Sequence, residues 1–309
     1  MRNREVSICV VIPFFGSWPS WFPYYLLTCS NNPTIDWLFF CDHDPPEYAP
    51  SNVRFVHMTL EQVRQLAESQ IGATVNLDYP TRICNLKPMY GVIFSDWLRK
   101  YTWWAWGDVD VLYGNIRRFL PHRYWVTYDI ISCRPWYTTG ELTFLRNTNS
   151  ICNLFRSSTD WRMVLSSHRC WAFDEYGFFK DRSVDSFTHV IWREAAIGSV
   201  KPYFGDFVRT EASHRDRNMH CLYTNQALYD LRTGEEIMLV HFLKSKALPE
   251  FVVEPVQALP AKPFILSASG IRLVEYGGKP PINVSTFIKS KIWRTLRRIK
   301  YRFFWRPAK

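Results

Sequence analysis

No two of the eight cysteines (Cys9, Cys29, Cys41, Cys84, Cys133, Cys152, Cys170 and Cys221) stand in a C-x-x-C pair. This argues against zinc and against a disulfide framework, and it predicts a reducing, cytosolic setting. No apolar stretch reaches the length of a membrane-spanning helix. The run 6–13 lies behind Arg2 and Arg4, but it is short, ends in Pro13-Phe14-Phe15-Gly16 and lacks a small-residue cleavage site, which argues against a signal peptide. Acids are missing from positions 289–309, which carry nine basic residues; of the net charge of +10, the remaining chain holds only 10 − 9 = +1. The charge therefore belongs to a tail, and no nucleic-acid partner is expected from it.

What is present is apolar bulk. At 309 residues, 47% hydrophobic and 17% aromatic, the chain can bury a full core as one large α/β domain with appendages or as two small domains. The β-branched run 6–12, bounded by Pro13, predicts a first strand. A helix is expected over 18–30, stopped by Asn31-Asn32-Pro33, then strands at 35–41 and 53–57. Thr59 and Gln62 form a capping-box signature ahead of a helix to about Gln70. Further on, the pattern predicts a helix over 85–99 with Pro88 in its first turn, and a strand over 103–110. Short strands follow at 128–132 and 142–146, a short helix at 148–156, and a last strand at 236–242. Strands alternating with helices imply right-handed crossovers and a Rossmann-like, mainly parallel sheet flanked by helices.

The stretch YTWWAWGDVDVLYGN, 101–115, organises the rest. An aromatic run suited to a strand buried on both faces ends in Asp108 and Asp110. Residues i and i+2 of an extended segment project to one side, where two carboxylates repel unless a cation sits between them. Oxygen ligands of this kind suit Mg2+, Mn2+ or Ca2+, and a metal on two carboxylates typically completes its ligand set with phosphate oxygens. The plain alternative is a turn bearing two solvated acids. Lys87 is expected at a helix start on the edge of this site, facing phosphate or, alternatively, solvent. The loop with Arg134, Pro135, Trp136, Thr138, Thr139 and Gly140 is a candidate for substrate contacts. Asp174 and Glu175 sit among aromatics that would raise a carboxylate pKa toward that of a working base, or they cap a helix starting near Glu175. His241 ends the last strand and is followed by Lys244 and Lys246, which could neutralise a diphosphate leaving group; the plain reading is a hydrogen-bonded core histidine. The acid-bearing loop Asp42-His43-Asp44 is a second ligand-facing candidate.

The ordered motifs VIPFFG (with Pro13, Phe14 and Phe15), FFCDHD, CNLKPMYGVIF, WGDVDVLYG, LTFLRNT after a glycine loop, FDE and HFLKSK resemble those of bacterial glycosyltransferases of the GT-A fold. The resemblance covers roughly residues 5–250 and is nearest to a group related to capsular-polysaccharide and glycosyltransferase-sugar-binding proteins. It implies a GT-A catalytic domain over 1–250, with a donor half about 1–115 and an acceptor half about 116–250. It also implies a nucleotide-sugar donor, a UDP-sugar foremost, a saccharide acceptor and Mn2+ or Mg2+. On this resemblance Asp108 would face ribose and metal, Asp110 would ligate the metal, and Asp42 would lie near the nucleoside, with Pro13, Phe14, Phe15 and Lys87 also in the donor site. His241 and Lys244 would meet metal and diphosphate, while Trp136, Thr139 and Gly140 would meet the acceptor. Asn85 departs from the pattern, which has an acid there, and takes no role. Asp174 or Glu175 would be the base of an inverting reaction, or would orient the acceptor in a retaining one. Two other readings stand beside this one: a nucleotidyltransferase, for which Pro13-Phe14-Phe15-Gly16-Ser17 is a poor phosphate loop, and a non-catalytic peripheral membrane module, which leaves the acids unexplained.

Residues 251–285 are expected to be an irregular connection, and 286–309 a basic amphipathic helix. Ile288, Ile292, Leu296, Ile299 and Phe303 would form one apolar stripe, and Trp293, Phe304 and Trp305 would add interfacial aromatics. Such a tail suits an anionic membrane surface, placing a cytoplasmic protein at the inner face of the cell membrane; otherwise it packs on the domain.

Overall fold

A computed structural model of the chain describes residues 6–179, 182–210, 219–275, 278–283 and a few positions beyond, at 285, 287–289, 291–292 and 295–296. In chain order the strands are β1 Ile8–Pro13, β2 Ile35–Cys41, β3 Val53–His57, β4 Trp103–Gly107, β5 Val111–Tyr113, β6 Ile130–Ser132 and β7 Leu142–Arg146. A two-stranded ribbon of β8 Phe178–Phe179 and β9 Arg182–Ser183 precedes β10 Pro202–Phe204 and β11 Val208–Thr210. Then come β12 His220–Thr224, β13 Ala227–Asp230, β14 Glu235–Ile237, β15 Leu239–His241, β16 Val252–Val253, β17 Phe264–Ser267 and β18 Gly270–Leu273.

The main sheet has seven strands in the order β10-β6-β7-β4-β1-β2-β3. Strands β3, β2, β1 and β4 are parallel, while β7 runs antiparallel to both β4 and β6. The architecture is mixed α/β; β10 is parallel to β6, so β7 alone runs against the other six strands and the sheet is mainly parallel, as the sequence predicts. Successive residues of the central strands feed two different cores. Ile8, Val10, Ile12, Trp37, Phe39, Trp103 and Ala105 belong to one; Cys9, Val11, Leu38, Phe40, Trp104 and Trp106 belong to the other. A strand covered on both faces has no polar side to show, which is why these segments read as unbroken apolar runs. After helix α1, Phe22–Ser30, helix α2, Leu60–Ile71, closes as the sequence predicts: Thr59 and Gln62 make the reciprocal capping bonds, and Gly72 at φ 72° takes the left-handed cap.

Four expectations need correction. The 85–99 segment is no single helix but a 3-10 stretch, Pro80–Met89, followed by two short turns of α-helix. Pro88 lacks the N–H that an α-helix would use there, and Arg82, Asn85 and Lys87 are buried. Strand β4 ends at Gly107, so Asp108 and Asp110 lie in the bend before β5 rather than on one strand. The predicted strand 236–242 is split at Met238, whose carbonyl accepts from Gly114 N at 2.7 Å. Its first half joins the six-stranded sheet β14-β13-β12-β17-β18-β16, its second the three-stranded sheet β11-β15-β5. Residues 251–285, expected to be irregular, contain β16, β17 and β18. The tail at 286–309 falls mostly outside the described residues, and among those described Ile288, Ile292 and Leu296 are exposed. No helix of the described residues is long and apolar enough to cross a membrane.

Candidate active site

Asp108 directly follows β4 and Asp110 directly precedes β5, so the two acids flank a bend that joins strands of two different sheets. Strand β15 pairs antiparallel with β5 and sets His241 opposite Val111, beside Asp110. One ligand atom each from Asp108, Asp110 and His241 lies within 4.8 Å of the others.

The Asp108 side of the cluster is built on Lys87. Its Nζ reaches Asp108 Oδ1 at 2.7 Å, Gly140 O at 3.1 Å and Asp174 Oδ2 at 3.3 Å. Lys87 is only 6% exposed, so it is not the solvated surface lysine that a sequence prior favours. Gly140 N donates to Glu175 Oε1 at 3.0 Å. A Cβ on Gly140 would lie 3.1 Å from Lys87 Nζ, 3.2 Å from Asp108 Oδ2 and 3.3 Å from Asp174 Oδ2, so the glycine gives the charged groups room to meet. Asp174 and Glu175 lie in a turn, and no helix starts there, which removes the capping alternative. The turn is positioned by Asn85: its Nδ2 donates to Arg169 O and its Oδ1 accepts from Trp171 N, both at 2.9 Å. The residue without a role in the sequence reading is a structural clamp.

The Asp110 side is built on His241. The Nε2 of the ring is 3.2 Å from Asp110 Oδ2, and the Nδ1 is 2.9 Å from Glu141 Oε1. Arg134 donates to the same Glu141 oxygen. Glu141 therefore fixes the ring so that Nε2 faces the acids. Lys246 Nζ donates to Asp110 Oδ2 at 2.6 Å. The lysine on the cluster is Lys246, whereas Lys244, two residues earlier, is exposed.

The two sides titrate in opposite directions. Burial pushes Asp174 up to about 7, with Lys87 opposing and Asp108 reinforcing. Burial, then the charges of Asp174 and Glu141, push Glu175 up to about 7. Burial also raises Asp108, against Lys87. For Asp110 burial is outweighed by the bonds and charges of His241 and Lys246, and its pKa falls. Burial is likewise outweighed at Glu141, which is held down to about 2 by His241 and Arg134. His241 is raised to about 10 by its two carboxylate partners, Asp110 and Glu141, burial notwithstanding.

The remaining candidates are spread around this centre. Pro13 ends β1, Phe14 stacks on Trp18 at 5.2 Å between ring centroids, and Phe15 packs against the second core. Asp42 accepts from Gly16 N at 3.2 Å and meets His43, tying the ends of β1 and β2 together; it is not part of the acid–histidine cluster. Trp136 belongs to an aromatic group with Tyr137, Tyr176 and Trp192. Thr139 works through its backbone, its carbonyl accepting from Trp106 Nε1 at 2.8 Å. Glu141 was not among the sequence candidates for the site, whereas Arg134 is expected there as a substrate-contact residue and Lys246, with Lys244, as a partner for diphosphate. The available signal for Glu141 was an acid at the start of a buried strand, LTFLR.

The model of a family of unknown function, DUF6625, matches residues 10–262. The chain belongs to this family. The DUF6625 span takes in both sides of the cluster and leaves the basic tail outside. No curated protein matches the chain in sequence. Among solved structures it is similar to the galactosyltransferase LgtC in complex with donor and acceptor sugar analogs: 11% identity, 78% of this chain and 88% of that one, TM-score 0.37. An active-site mutant of LgtC gives 10%, 76%, 87% and 0.37. The glycosyltransferase GlyE of Streptococcus pneumoniae TIGR4 gives 9%, 52%, 43% and 0.29. Similarity at this level fixes neither a fold family nor a substrate.

Proposed function

We propose that this chain is a divalent-metal-dependent glycosyltransferase that moves a sugar from a nucleotide-sugar donor, a UDP-sugar foremost, to a saccharide acceptor. The observation that carries the reading is the convergence of Asp108, Asp110 and His241 within 4.8 Å, flanked by Asp174 and Glu175, two acids of raised pKa. The donor set fits a metal: two carboxylates and an imidazole suit Mn2+, and Mg2+ accepts the carboxylates more readily than the ring. The ammonium groups of Lys87 and Lys246 already lie on the two acids, as expected where negative charge needs a counter-cation. The sequence resemblance to GT-A glycosyltransferases points the same way.

Asp108, Asp110 and His241 would hold the ion, which when bound would neutralise a diphosphate as the bond from sugar to diphosphate breaks. Lys87 and Lys246 contribute fixed positive charge where the leaving group gains negative charge. Glu175, half-buried and oriented by Gly140 N, takes the proton of the acceptor hydroxyl; its pKa of about 7 is matched to that task. Asp174, 2% exposed and bonded to Lys87, positions that lysine. Trp136 and its aromatic neighbours offer a face for the acceptor sugar. The acid-free tail, with Ile288, Ile292 and Leu296 exposed, supports a location at an anionic membrane surface, near membrane-assembled glycan.

A panel of nucleotide sugars with Mn2+ tests the reaction class. Release of nucleoside diphosphate from at least one donor is expected; release of pyrophosphate instead would identify a nucleotidyltransferase, and no release from any donor would count against both.

A further inference from the structure

Six of the eight cysteines are buried, but Cys84 and Cys170 are partly accessible. Cys84 Sγ lies 3.9 Å from Asn85 Oδ1, the same oxygen that accepts from Trp171 N next to Cys170. The approach is built into the chain, because the two bonds of Asn85 go to Arg169 O and Trp171 N, the residues on either side of Cys170. Cys84, next to Asn85, is held against the turn by that bracket.

The surroundings are electropositive. Arg82 is 1% exposed, and its Nε and Nη1 have no hydrogen-bond acceptor among the described residues. Its Nη1 is 3.7 Å from Asp78, a half-exposed carboxylate. A buried guanidinium with unmet donors favours negative charge nearby, and Arg82 and Lys87 both act on Cys170 in that sense. The bond from Cys84 is the largest influence holding the Cys170 thiol down to about 6, with burial opposing and Ala172 N–H assisting. Cys84, as the donor, is raised and stays a thiol. This asymmetry matches an attacking thiolate beside a resolving thiol.

We propose that Cys170 and Cys84 form a thiol–disulfide exchange site that takes small-molecule disulfides, of the type of oxidised glutathione, as its oxidant. The Cys170 thiolate attacks one sulfur of the small disulfide, forming a mixed disulfide and expelling one thiolate. Cys84 then gives up its proton and attacks the Cys170 sulfur, expelling the second small thiol. The balance is two protein thiols oxidised to one disulfide, and one small disulfide reduced to two thiols. The bond would tie the segment bearing Lys87 to the turn bearing Asp174 and Glu175.

The test uses the full-length protein treated with oxidised glutathione at neutral pH, followed by alkylation, proteolysis and mass spectrometry. A Cys84–Cys170 cross-link, reversed by dithiothreitol, is expected while the six buried cysteines remain free. Cys84→Ser should stop at glutathione on Cys170, and Cys170→Ser should leave Cys84 unmodified, with far-UV circular dichroism checking that both variants fold. Alkylation of reduced wild type should reach Cys170 first, with half-maximal rate near pH 6. Glutathione retained without a cross-link, oxidation of a different pair, or no reaction at Cys170 in folded protein would each overturn the proposal.

Discussion

The two sides of the acid–histidine cluster have unlike charge balances. Around Lys87 one cation faces three carboxylates, Asp108, Asp174 and Glu175, and all three are raised in pKa. Around His241 two carboxylates, Asp110 and Glu141, meet Arg134, Lys246 and the imidazole, and both are lowered. Burial is common to both sides and cannot explain the difference; the ratio of cations to acids decides it. On the proposed function, the His241 side stays charged and holds charge, and the Lys87 side exchanges a proton. The chain assembles them by placing neighbouring acids between the end of β4 and the start of β5, strands of two different sheets, with His241 brought alongside by β15.

Breaking the His241 side should cost most. Asp110→Asn should lower donor turnover on the order of 1000-fold, the upper range for losing one preorganised electrostatic contact, with circular dichroism unchanged. Turnover within a few-fold of wild type would show that this side does not serve the reaction.

The Lys87 side breaks differently. Glu175→Gln should lower turnover about 100-fold, the ordinary contribution of a general base, with donor affinity by calorimetry unchanged. A carboxylate with a folded pKa of about 7 accepts protons only where it is ionised, so wild-type turnover should rise with pH through about 7. That limb should disappear in the variant; its persistence would assign the proton to another group.

Glu141→Gln sharpens the comparison without touching a ligand. It should weaken Mn2+ binding by roughly 10- to 100-fold, as loss of a carboxylate behind a metal-bound histidine does, read by paramagnetic resonance of free Mn2+. Unchanged affinity would make Glu141 an anchor for Arg134 alone. Removal of 286–309 should have the smallest effect on chemistry, since both sides of the site lie within 10–262. The truncated protein should still hydrolyse donor and should no longer co-sediment with anionic liposomes; binding equal to the full chain would remove the tail from the membrane reading.

How far the sequence discloses these two sides follows the same division. Strands β2 and β3 and helix α2 are legible, because short runs rich in aromatic and β-branched residues and the Thr59–Gln62 box are local signals. Asp108, Asp110 and His241 were legible as candidates, but the reason they converge was not. Extended-strand geometry would put the acids on one side, whereas the structure brings them together through a bend and a pairing between residues more than a hundred positions apart. Lys87 reads as surface because burial of a lysine depends on partners at 108, 140 and 174 that no local window contains. Glu141 was hidden for the same reason: Arg134 meets it from within the same loop, but His241 comes from another sheet. Asn85 looked like a departure from a pattern and proved to be a long-range clamp.

The account rests on the two sides sharing one metal–diphosphate ligand, and calorimetric titration of UDP into the protein with and without Mn2+ tests this most directly. It predicts tight UDP binding only when Mn2+ is present, with that dependence abolished in Asp110→Asn. UDP binding of equal strength with and without Mn2+, or a dependence that survives in the variant, would contradict it.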